Sequence, residues 1–310
     1  MVKKIIIDTD PGIDDATAIS LALRSPELEV IGLTSVFGNA KGEVTAQNAL
    51  RLVELEGHDS VPVARGSDVP LIIPLEALGT MVHGEDGMGN TNPPPPKGKL
   101  LDAHAAEFII QMIRSNPGKV TLVPIGPLTN IALALKLDPG IVGLVDEVVL
   151  MGGTLSCPGN ISPVAEANIY HDPHAADLVL RAGWPLVMVG LDVTQEVFMT
   201  RAYLDEIYQA DNPATNLMRK ILPIYQKFHD GFFGLGGDIH THDPSAIVYL
   251  LAPHLFHTQS VAVFVETEGR CMGQTVADWH HQWGDRPEVK VCMNVQANEV
   301  LALIKERLVK

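Results

Sequence analysis

The chain has 310 residues, of which 46% are hydrophobic and 19% are charged, a composition typical of a globular protein with a substantial core. A net charge of −15 disfavours nucleic acid and anionic membranes as partners, because both attract basic surfaces. No apolar run approaches the roughly 18 residues that span a bilayer, and the N-terminus has no signal-peptide core, so we expect a cytoplasmic protein. The cysteines Cys157, Cys271 and Cys292 are widely spaced and indicate neither a disulfide framework nor a zinc site.

Strand-like and helical patterns alternate through the first two-thirds of the chain. The predicted strands are continuous apolar runs, which are typical of a parallel sheet covered on both faces. This alternation predicts an α/β fold with a mainly parallel central sheet flanked by helices. In chain order the predicted strands are 3–8, 28–38, 119–126, 146–153 and 185–194, and the predicted helices are 14–25, 41–57, 103–115, 127–137 and 172–183.

The remaining segments are less regular. Residues 66–100 are rich in Gly and Pro, which predicts a functional or mobile loop. Residues 201–243 show helical patterns followed by a glycine-rich segment, "DGFFGLGGDIHTHDP". With no internal repeat and no clear linker, residues 1–310 are expected to form one domain. The C-terminal part is predicted to contain a three-stranded meander and a closing helix, at 260–267, 274–279, 289–295 and 297–310.

Acidic and amide side chains gather at the carboxyl ends of the predicted strands, where open α/β sheets bind ligands. These motifs contain no lysine or arginine that could neutralise the acids, and clustered carboxylates repel each other. A hard divalent cation, Ca²⁺ or Mg²⁺, would relieve this repulsion because it takes oxygen ligands. The residues at these strand ends are Asp8, Asp10, Asp14, Asp15, Asn39, Ile125, Gly126, Asn160, Glu166, Asn168, Asp192, His240, His242 and Asp243.

Several of these residues also have a structural interpretation. Asp14 or Asp15, taken alone, could cap a helix or favour its dipole, and Asp243 could cap the next helix. A single His242 is more often structural than catalytic, and the asparagines could be turn residues. Their joint placement at strand ends favours the functional interpretation.

The stretch "DTDPGIDDATAI", residues 8–19, can be compared with two other kinds of site, an EF-hand and a phosphohydrolase active site. An EF-hand is excluded because the twelfth position is Ile19, where a glutamate is needed. A Mg²⁺-dependent phosphohydrolase could use Asp8 as its nucleophile, with Asp10 two residues later. That alternative needs a positive group to hold the phosphate, and neither a Gly-rich phosphate loop nor a well-placed lysine is present.

The gathered motifs resemble one family, the calcium-dependent (inosine-uridine preferring) nucleoside hydrolases, over essentially the whole chain. The resemblance implies a single α/β domain around a mainly parallel sheet. It also implies hydrolysis of the N-glycosidic bond of ribonucleosides to free base and ribose. The motifs that carry it, in chain order, are "DTDPGIDDA", "GN" at 38–39, "HGEDGMG", "VPIGPLTN", "MGG", "AEANIYHDPHAA" and "HDP".

The resemblance also implies roles for the strand-end residues. Ca²⁺ would be bound by the carboxylates of Asp10, Asp15 and Asp243 and by the backbone carbonyl of Ile125. Asp10 would be the base that activates a Ca²⁺-bound water, and Asp8 would support its neighbours. An acidic lining suits the positive charge that develops on the sugar during glycosyl cleavage. The ribose hydroxyls would be bound by Asp14, Asn39, Asn160, Glu166 and Asn168.

The leaving base must be protonated or stacked. His242 is the candidate acid, and His83 and His240 are further candidates. Tyr225 and His229 lie four residues apart in a helical pattern, so they share one face. They could contact the base, or they could simply pack within the fold.

Some positions depart from the family pattern. Ala167 stands where phenylalanine is commoner, and Ile125 stands where threonine is commoner, although a backbone ligand tolerates that change. The departures leave the metal and ribose chemistry intact and the base preference open among uridine, cytidine and inosine. Family members usually form homodimers or homotetramers, so we expect the same here. A non-catalytic nucleoside-binding protein is disfavoured by the intact Asp10.

Overall fold

The computed structural model describes residues 2–76 and 78–310. Ala77, within the predicted loop 66–100, lies outside the described residues. The strands are β1 (Lys3–Thr9), β2 (Leu28–Ser35), β3 (Val63–Arg65), β4 (Val120–Pro124), β5 (Glu147–Met151), β6 (Leu186–Val189), β7 (Phe198–Met199), β8 (Ile239–His240), β9 (Phe256–Val265), β10 (Thr275–Asp278) and β11 (Glu288–Val295). The helices are α1 (Ile13–Leu23), α2 (Gly42–Leu55), α3 (Thr80–His83), α4 (Ala105–Ser115), α5 (Thr129–Leu137), α6 (Ala167–His171), α7 (Pro173–Leu180), α8 (Leu191–Thr194), α9 (Arg201–Ile207), α10 (Pro213–Phe233), α11 (Asp243–Leu251) and α12 (Ala297–Leu308).

A large central sheet organises the molecule. Within the described residues it has nine strands in the order β10-β9-β11-β6-β5-β4-β1-β2-β3, and β7 and β8 form a separate small ribbon. Every neighbouring pair from β11 to β3 is parallel, whereas β9 runs antiparallel to both β10 and β11. The predicted α/β fold with a mainly parallel sheet is therefore confirmed.

The central strands are apolar because both of their faces are covered. In β1, the side chains of Ile5 and Ile7 pack in a core with α1 and α11, while Ile6 packs in a second core with α4 and α5. All three isoleucines are fully buried. Each face of a buried parallel strand thus needs apolar residues, which is why the sequence shows continuous runs instead of alternation.

Three of the differences between the structure and the predicted elements concern the central sheet. The predicted strand 185–194 ends at Val189, and α8 follows, so that Asp192 lies in a helix. The short edge strand β3 was not predicted. The predicted meander is wrong, since β11 lies between β9 and β6 and does not pair with β10. A tight hairpin would have forced β11 to pair with β10. The connection between these two strands is long, so β11 can pair with β9 and β6 instead.

The order of the strands creates a crevice at the carboxyl end of β1. The chain passes from β1 to β2 and β3 on one side, and β4 then returns to the other side of β1. Ligands bind in open α/β sheets at such a topological switch point. Helix α10 packs against α1 and α3, so its side chains reach the same crevice. None of the described helices is long and apolar enough to cross a membrane.

Candidate active site

Asp10 follows β1 and lies in a slot between two glycines. Its Oδ2 accepts a hydrogen bond from the backbone N–H of Asn39 at 2.7 Å. Its Oδ1 is buried and has no hydrogen-bond partner among the described residues. A Cβ atom at Gly38 or Gly126 would collide with this carboxylate. One oxygen of Asp10 is therefore fixed, and the other is unpartnered.

Asp15 is held by hydrogen bonds to both of its oxygens. Oδ1 accepts from the Thr9 hydroxyl at 2.5 Å, and Oδ2 accepts from the Gly12 N–H at 2.9 Å and from the Asn39 amide at 2.8 Å. The contact to Gly12, which precedes α1, is the helix-capping contact expected of a first-turn acid. The bonds from Thr9 and Asn39 are not needed for capping, and they orient the carboxylate within the crevice.

Three carboxylates from two distant parts of the chain converge here. Oxygen atoms of Asp14, Asp15 and Asp243 all lie within 4.8 Å of one another. Asp14 Oδ1 is buried without a hydrogen-bond partner in the described chain, and Asp243, at the start of α11, is 3% exposed. Asp10 adjoins this group without belonging to it. Asp14, which the family resemblance assigns to the sugar, is thus as close to the other acids as a metal ligand would be.

The four acids have no described lysine or arginine beside them to offset a negative charge. Burial, followed by repulsion from neighbouring acids, raises the pKa of Asp10 and of Asp243 well above the usual range. Burial also raises the pKa of Asp14, and burial together with the charge of Asp14 raises the pKa of Asp15. Hydrogen-bond donors and His83 oppose these shifts, but no described lysine or arginine does.

The backbone carbonyl of Ile125 immediately precedes Gly126, whose backbone lies against Asp10. The Ile125 N–H donates to the Asp8 carbonyl at 2.8 Å, and the Ile125 carbonyl accepts from the Asn168 amide at 3.0 Å. Asn168 also donates to the Met151 carbonyl at 3.1 Å. This one side chain therefore connects the carboxyl ends of β4 and β5.

Glu166 and Asn160 are anchored at the start of α6. Glu166 caps the helix, since its Oε1 accepts from the Asn168 N–H at 3.0 Å. Its Oε2 accepts from the N–H groups of Gly153 at 3.0 Å and Ile169 at 3.2 Å. Burial raises the pKa of Glu166 to about 7. The Asn160 side-chain oxygen accepts from the Ala167 N–H at 3.0 Å, so both groups have fixed positions.

Asp8 is enclosed beneath the crevice. It is 1% exposed, and its Oδ1 accepts hydrogen bonds from Thr34 and Asn130. Burial raises its pKa to about 7. A nucleophile must be accessible to its substrate, so this environment gives no support to the phosphohydrolase alternative.

His83 and Tyr225 face the acids from the other side. Nδ1 of His83 accepts from the Ile13 N–H at 3.1 Å and lies 3.8 Å from Asp14. Burial lowers the pKa of His83 to about 4, so the imidazole is neutral and its proton is on Nε2. The Tyr225 hydroxyl donates to Asp14 at 3.3 Å, and its ring centroid is 5.5 Å from that of His83.

His229, His240 and His242 continue this aromatic side of the site. The ring centroids of His229 and His240, and those of His240 and His242, are each 5.6 Å apart. Nδ1 of His229 lies 3.0 Å from the Tyr225 carbonyl and Nδ1 of His240 lies 3.2 Å from the Gln195 carbonyl, so both donate from Nδ1. Burial lowers the pKa of all three histidines. The five aromatic candidates therefore form one contiguous, uncharged wall.

Asp192 does not join the acidic group. Its carboxylate accepts from the N–H groups of Leu155 and Ser156 at 2.9 and 2.7 Å, so it shapes the loop that leads to Asn160. Sequence reasoning missed the supporting residues Thr9 and Asn130. Both stand inside motifs already singled out, "DTD" and "PLTN", and a hydroxyl or amide adjoining clustered acids was the available signal.

The fold and the site define a class of protein: an α/β enzyme whose switch-point crevice has an acidic side and an aromatic side. The family model for inosine-uridine preferring nucleoside hydrolases matches residues 5–302, and the chain belongs to that family. It is 41% identical to probable uridine nucleosidase 2 of Arabidopsis thaliana, over 99% of this chain and 98% of the relative. It is 40% identical to the inosine-uridine preferring nucleoside hydrolase of Leishmania major, over 99% and 98%.

Solved structures agree with this assignment. A plant nucleoside hydrolase, the PpNRh1 enzyme, superposes with a TM-score of 0.96 at 38% identity and covers 100% of this chain and 99% of its own. A purine-preferring ribonucleoside hydrolase from Gardnerella vaginalis gives 0.93 at 34% identity, with 99% and 98% coverage. The chain is therefore a glycosidase that hydrolyses ribonucleosides to base and ribose.

Proposed function

We propose that the chain is a Ca²⁺-dependent ribonucleoside hydrolase. The observation that supports the metal is the convergence of the Asp14, Asp15 and Asp243 carboxylates beside Asp10. The buried atoms Asp10 Oδ1 and Asp14 Oδ1 lack hydrogen-bond partners in the described chain. An all-oxygen donor set without basic neighbours fits a hard cation. The residues that would hold it are Asp10, Asp15, Asp243 and the Ile125 carbonyl. When bound, Ca²⁺ would offset the carboxylate charge, orient the ribose hydroxyls and make a bound water more acidic.

Asp10 is proposed as the general base. The Asn39 N–H holds one oxygen, which leaves Oδ1 as the acceptor for a proton from the attacking water. The Gly38 and Gly126 backbone restrains the carboxylate, so little reorganisation is needed during reaction.

The ribose is proposed to lie against the acidic and amide side of the crevice. Asp14, Asn39, Asn160, Glu166 and Asn168 are assigned to its hydroxyls. Backbone donors fix both oxygens of Glu166. Because Oε2 already accepts two of these bonds, Oε1 is the oxygen that retains a lone pair for a hydroxyl. Negative charge held around the sugar stabilises the oxocarbenium-like transition state.

The base is proposed to lie against the aromatic wall. His83 presents Nε2–H as a donor because Nδ1 is occupied by Ile13, and Tyr225 and His229 offer aromatic faces 4.2 Å apart at their centroids. His242 is the proposed acid for the leaving base, and His240 packs beside it. The relatives named for uridine and inosine make these nucleosides the first substrates to test. A cytoplasmic homodimer or homotetramer remains part of the proposal.

Ribose release by Asp10→Asn tests the catalytic assignment. We expect kcat to fall by about 10²–10⁴-fold, the usual contribution of a positioned base. Asp68→Asn, at an exposed aspartate paired with Arg65, is the matched control and should keep wild-type activity. The assay should use uridine, inosine and cytidine. Full activity of Asp10→Asn on all three would contradict the assignment.

A further inference from the structure

Asp8 is the acid of the first motif that the proposed mechanism does not use. Its side chain is 1% exposed. Because side chains alternate along a strand, it shares the face of β1 on which Ile6 packs with α4 and α5. It therefore lies under the crevice, where it cannot contact a substrate in the crevice without a rearrangement of the sheet.

Asp8 is the centre of a hydrogen-bond network that ties several strand ends together. Thr34 lies directly opposite on β2 and donates to Asp8 Oδ1 at 2.5 Å. The Asn130 amide, near the start of α5, donates to the same oxygen at 2.8 Å and to the Ser35 carbonyl at 3.0 Å. Asn130 in turn accepts from the Ser67 N–H at 2.9 Å, in the segment after β3. The network thus joins β1, β2, α5 and the segment that follows β3.

Three of the groups assigned to the cation, namely Asp10, Asp15 and the Ile125 carbonyl, are connected to Asp8 by short covalent or hydrogen-bonded links. The Asp8 carbonyl accepts the Ile125 N–H at 2.8 Å, which fixes the peptide next to the Ile125 carbonyl. Thr9, the next residue, donates its hydroxyl to Asp15 at 2.5 Å, and Asp10 follows. A displacement of Asp8 would move the Ile125 carbonyl and both carboxylates.

We propose that Asp8 is a positioning residue: by accepting hydrogen bonds from Thr34 and Asn130 it holds Asp10, Asp15 and the Ile125 carbonyl in the arrangement that binds the cation. The inference rests on the proposed function. The second oxygen, Oδ2, has no hydrogen-bond partner in the described chain, so the network uses only one oxygen. An amide at position 8 supplies that oxygen, whereas a methyl group does not.

The test variants are chosen because only one of the two Asp8 carboxylate oxygens accepts hydrogen bonds. Asp8→Asn keeps the acceptor for Thr34 and Asn130, and Asp8→Ala removes it. Thr34→Val removes one donor at nearly constant volume, and it serves as a second test if Asp8→Ala does not fold. Ile6→Val is the matched control, because it weakens packing on the same face of the same strand without touching the network.

The experiment titrates each chelator-treated protein with Ca²⁺ by calorimetry and then measures kcat and KM for uridine. We expect the Ca²⁺ dissociation constant and kcat of Asp8→Asn to stay within about threefold of wild type. Asp8→Ala should bind Ca²⁺ at least about tenfold more weakly, with a loss in kcat that exceeds any change in KM, and Thr34→Val should be intermediate. Ile6→Val should lose stability and keep wild-type Ca²⁺ affinity.

Two results would overturn the inference alone. The first is wild-type Ca²⁺ affinity in Asp8→Ala and Thr34→Val, which would leave Asp8 with a purely structural role. The second is loss of turnover in Asp8→Asn with Ca²⁺ affinity retained, which would make the second oxygen or its charge essential. A wild-type protein that does not bind Ca²⁺ would instead overturn the proposed function, and the inference with it.

Discussion

The histidines of the aromatic wall show how single residues acquire a defined proton position. Each Nδ1 is paired with a backbone or hydroxyl partner: Ile13 N–H for His83, a carbonyl for His229 and His240, and the Thr194 hydroxyl for His242. A ring whose Nδ1 accepts carries its proton on Nε2, and the reverse holds for one whose Nδ1 donates. The wall therefore presents His83 to the crevice as a donor and His229 as an acceptor.

This environment gives stability a pH dependence at His229. Burial lowers its pKa to about 4, against about 6.5 in an unfolded chain. Well above pH 6.5 neither state binds the proton, so the group contributes nothing there. As pH falls from 6.5 towards 4, the unfolded chain binds a proton that the folded chain does not, and the fold is destabilised.

The corresponding prediction compares wild type with His229→Gln in urea unfolding at several pH values. Relative to the variant, wild type should lose about 2–3 kcal/mol between pH 7 and pH 4. The difference should be constant above pH 7. A difference in unfolding free energy that does not vary with pH would show that folded His229 titrates normally.

For single residues, the sequence predicted which side chains gather at the site better than it predicted which atoms each of them contacts. The acids at the strand ends predicted a cation site, and the family resemblance implied Asp10, Asp15 and Asp243 as its ligands. In the structure the carboxylates of Asp15 and Asp243 lie close together, and that of Asp14 lies equally close to both. The proton positions on the histidines could not be predicted, because they depend on which distant backbone atom each ring meets.

Among the structural elements, the turn between β4 and α5 leaves room for Asp10 because Gly126 in that turn has no side chain. Gly126 follows Ile125, and a Cβ there would lie 2.5 Å from Asp10 Oδ1 and 3.0 Å from the Asp10 backbone nitrogen. Its φ is not positive, so alanine is acceptable to the local backbone. A substitution would therefore act by displacing Asp10.

Gly126→Ala is accordingly expected to lower kcat by about 100-fold, the loss that a displacement of about 1 Å in a catalytic group can cause. Gly143→Ala is the matched control: it also has no positive φ, and a Cβ there meets no described atom within 4 Å. Steady-state kinetics on uridine should separate the two variants. Equal activity in both would mean that Asp10 has more space than the geometry indicates.

Elements with strong periodicity were predicted well, and those decided by tertiary contacts were not. The apolar runs of β1 and β4 identify buried parallel strands. The three residues of β3 carry too little pattern to be recognised, and α8 continues an apolar run in which only the backbone hydrogen bonds distinguish helix from strand. The position of β11 beside β6 depends on long-range pairing that local sequence does not encode.

For the molecule as a whole, function follows from the strand order. Because β2 and β4 lie on opposite sides of β1, a crevice opens at the carboxyl end of β1. The N-terminal acids, the β4–α5 turn and the start of α11 meet in this crevice. Helix α10 then supplies Tyr225 and His229 from the opposite side. The charge concentrated on one wall is the feature that requires a cation, so metal dependence is the central claim about the molecule.

Ribose release from uridine and inosine after chelation tests this claim most directly. The chelator-treated protein should lose activity on both nucleosides, and stoichiometric Ca²⁺ should restore it, because only a bound cation offsets the four carboxylates. Mg²⁺ should restore it less well, since its near-octahedral preference suits this carboxylate and carbonyl set poorly. Undiminished ribose release by a protein shown to be free of divalent metal would contradict the account.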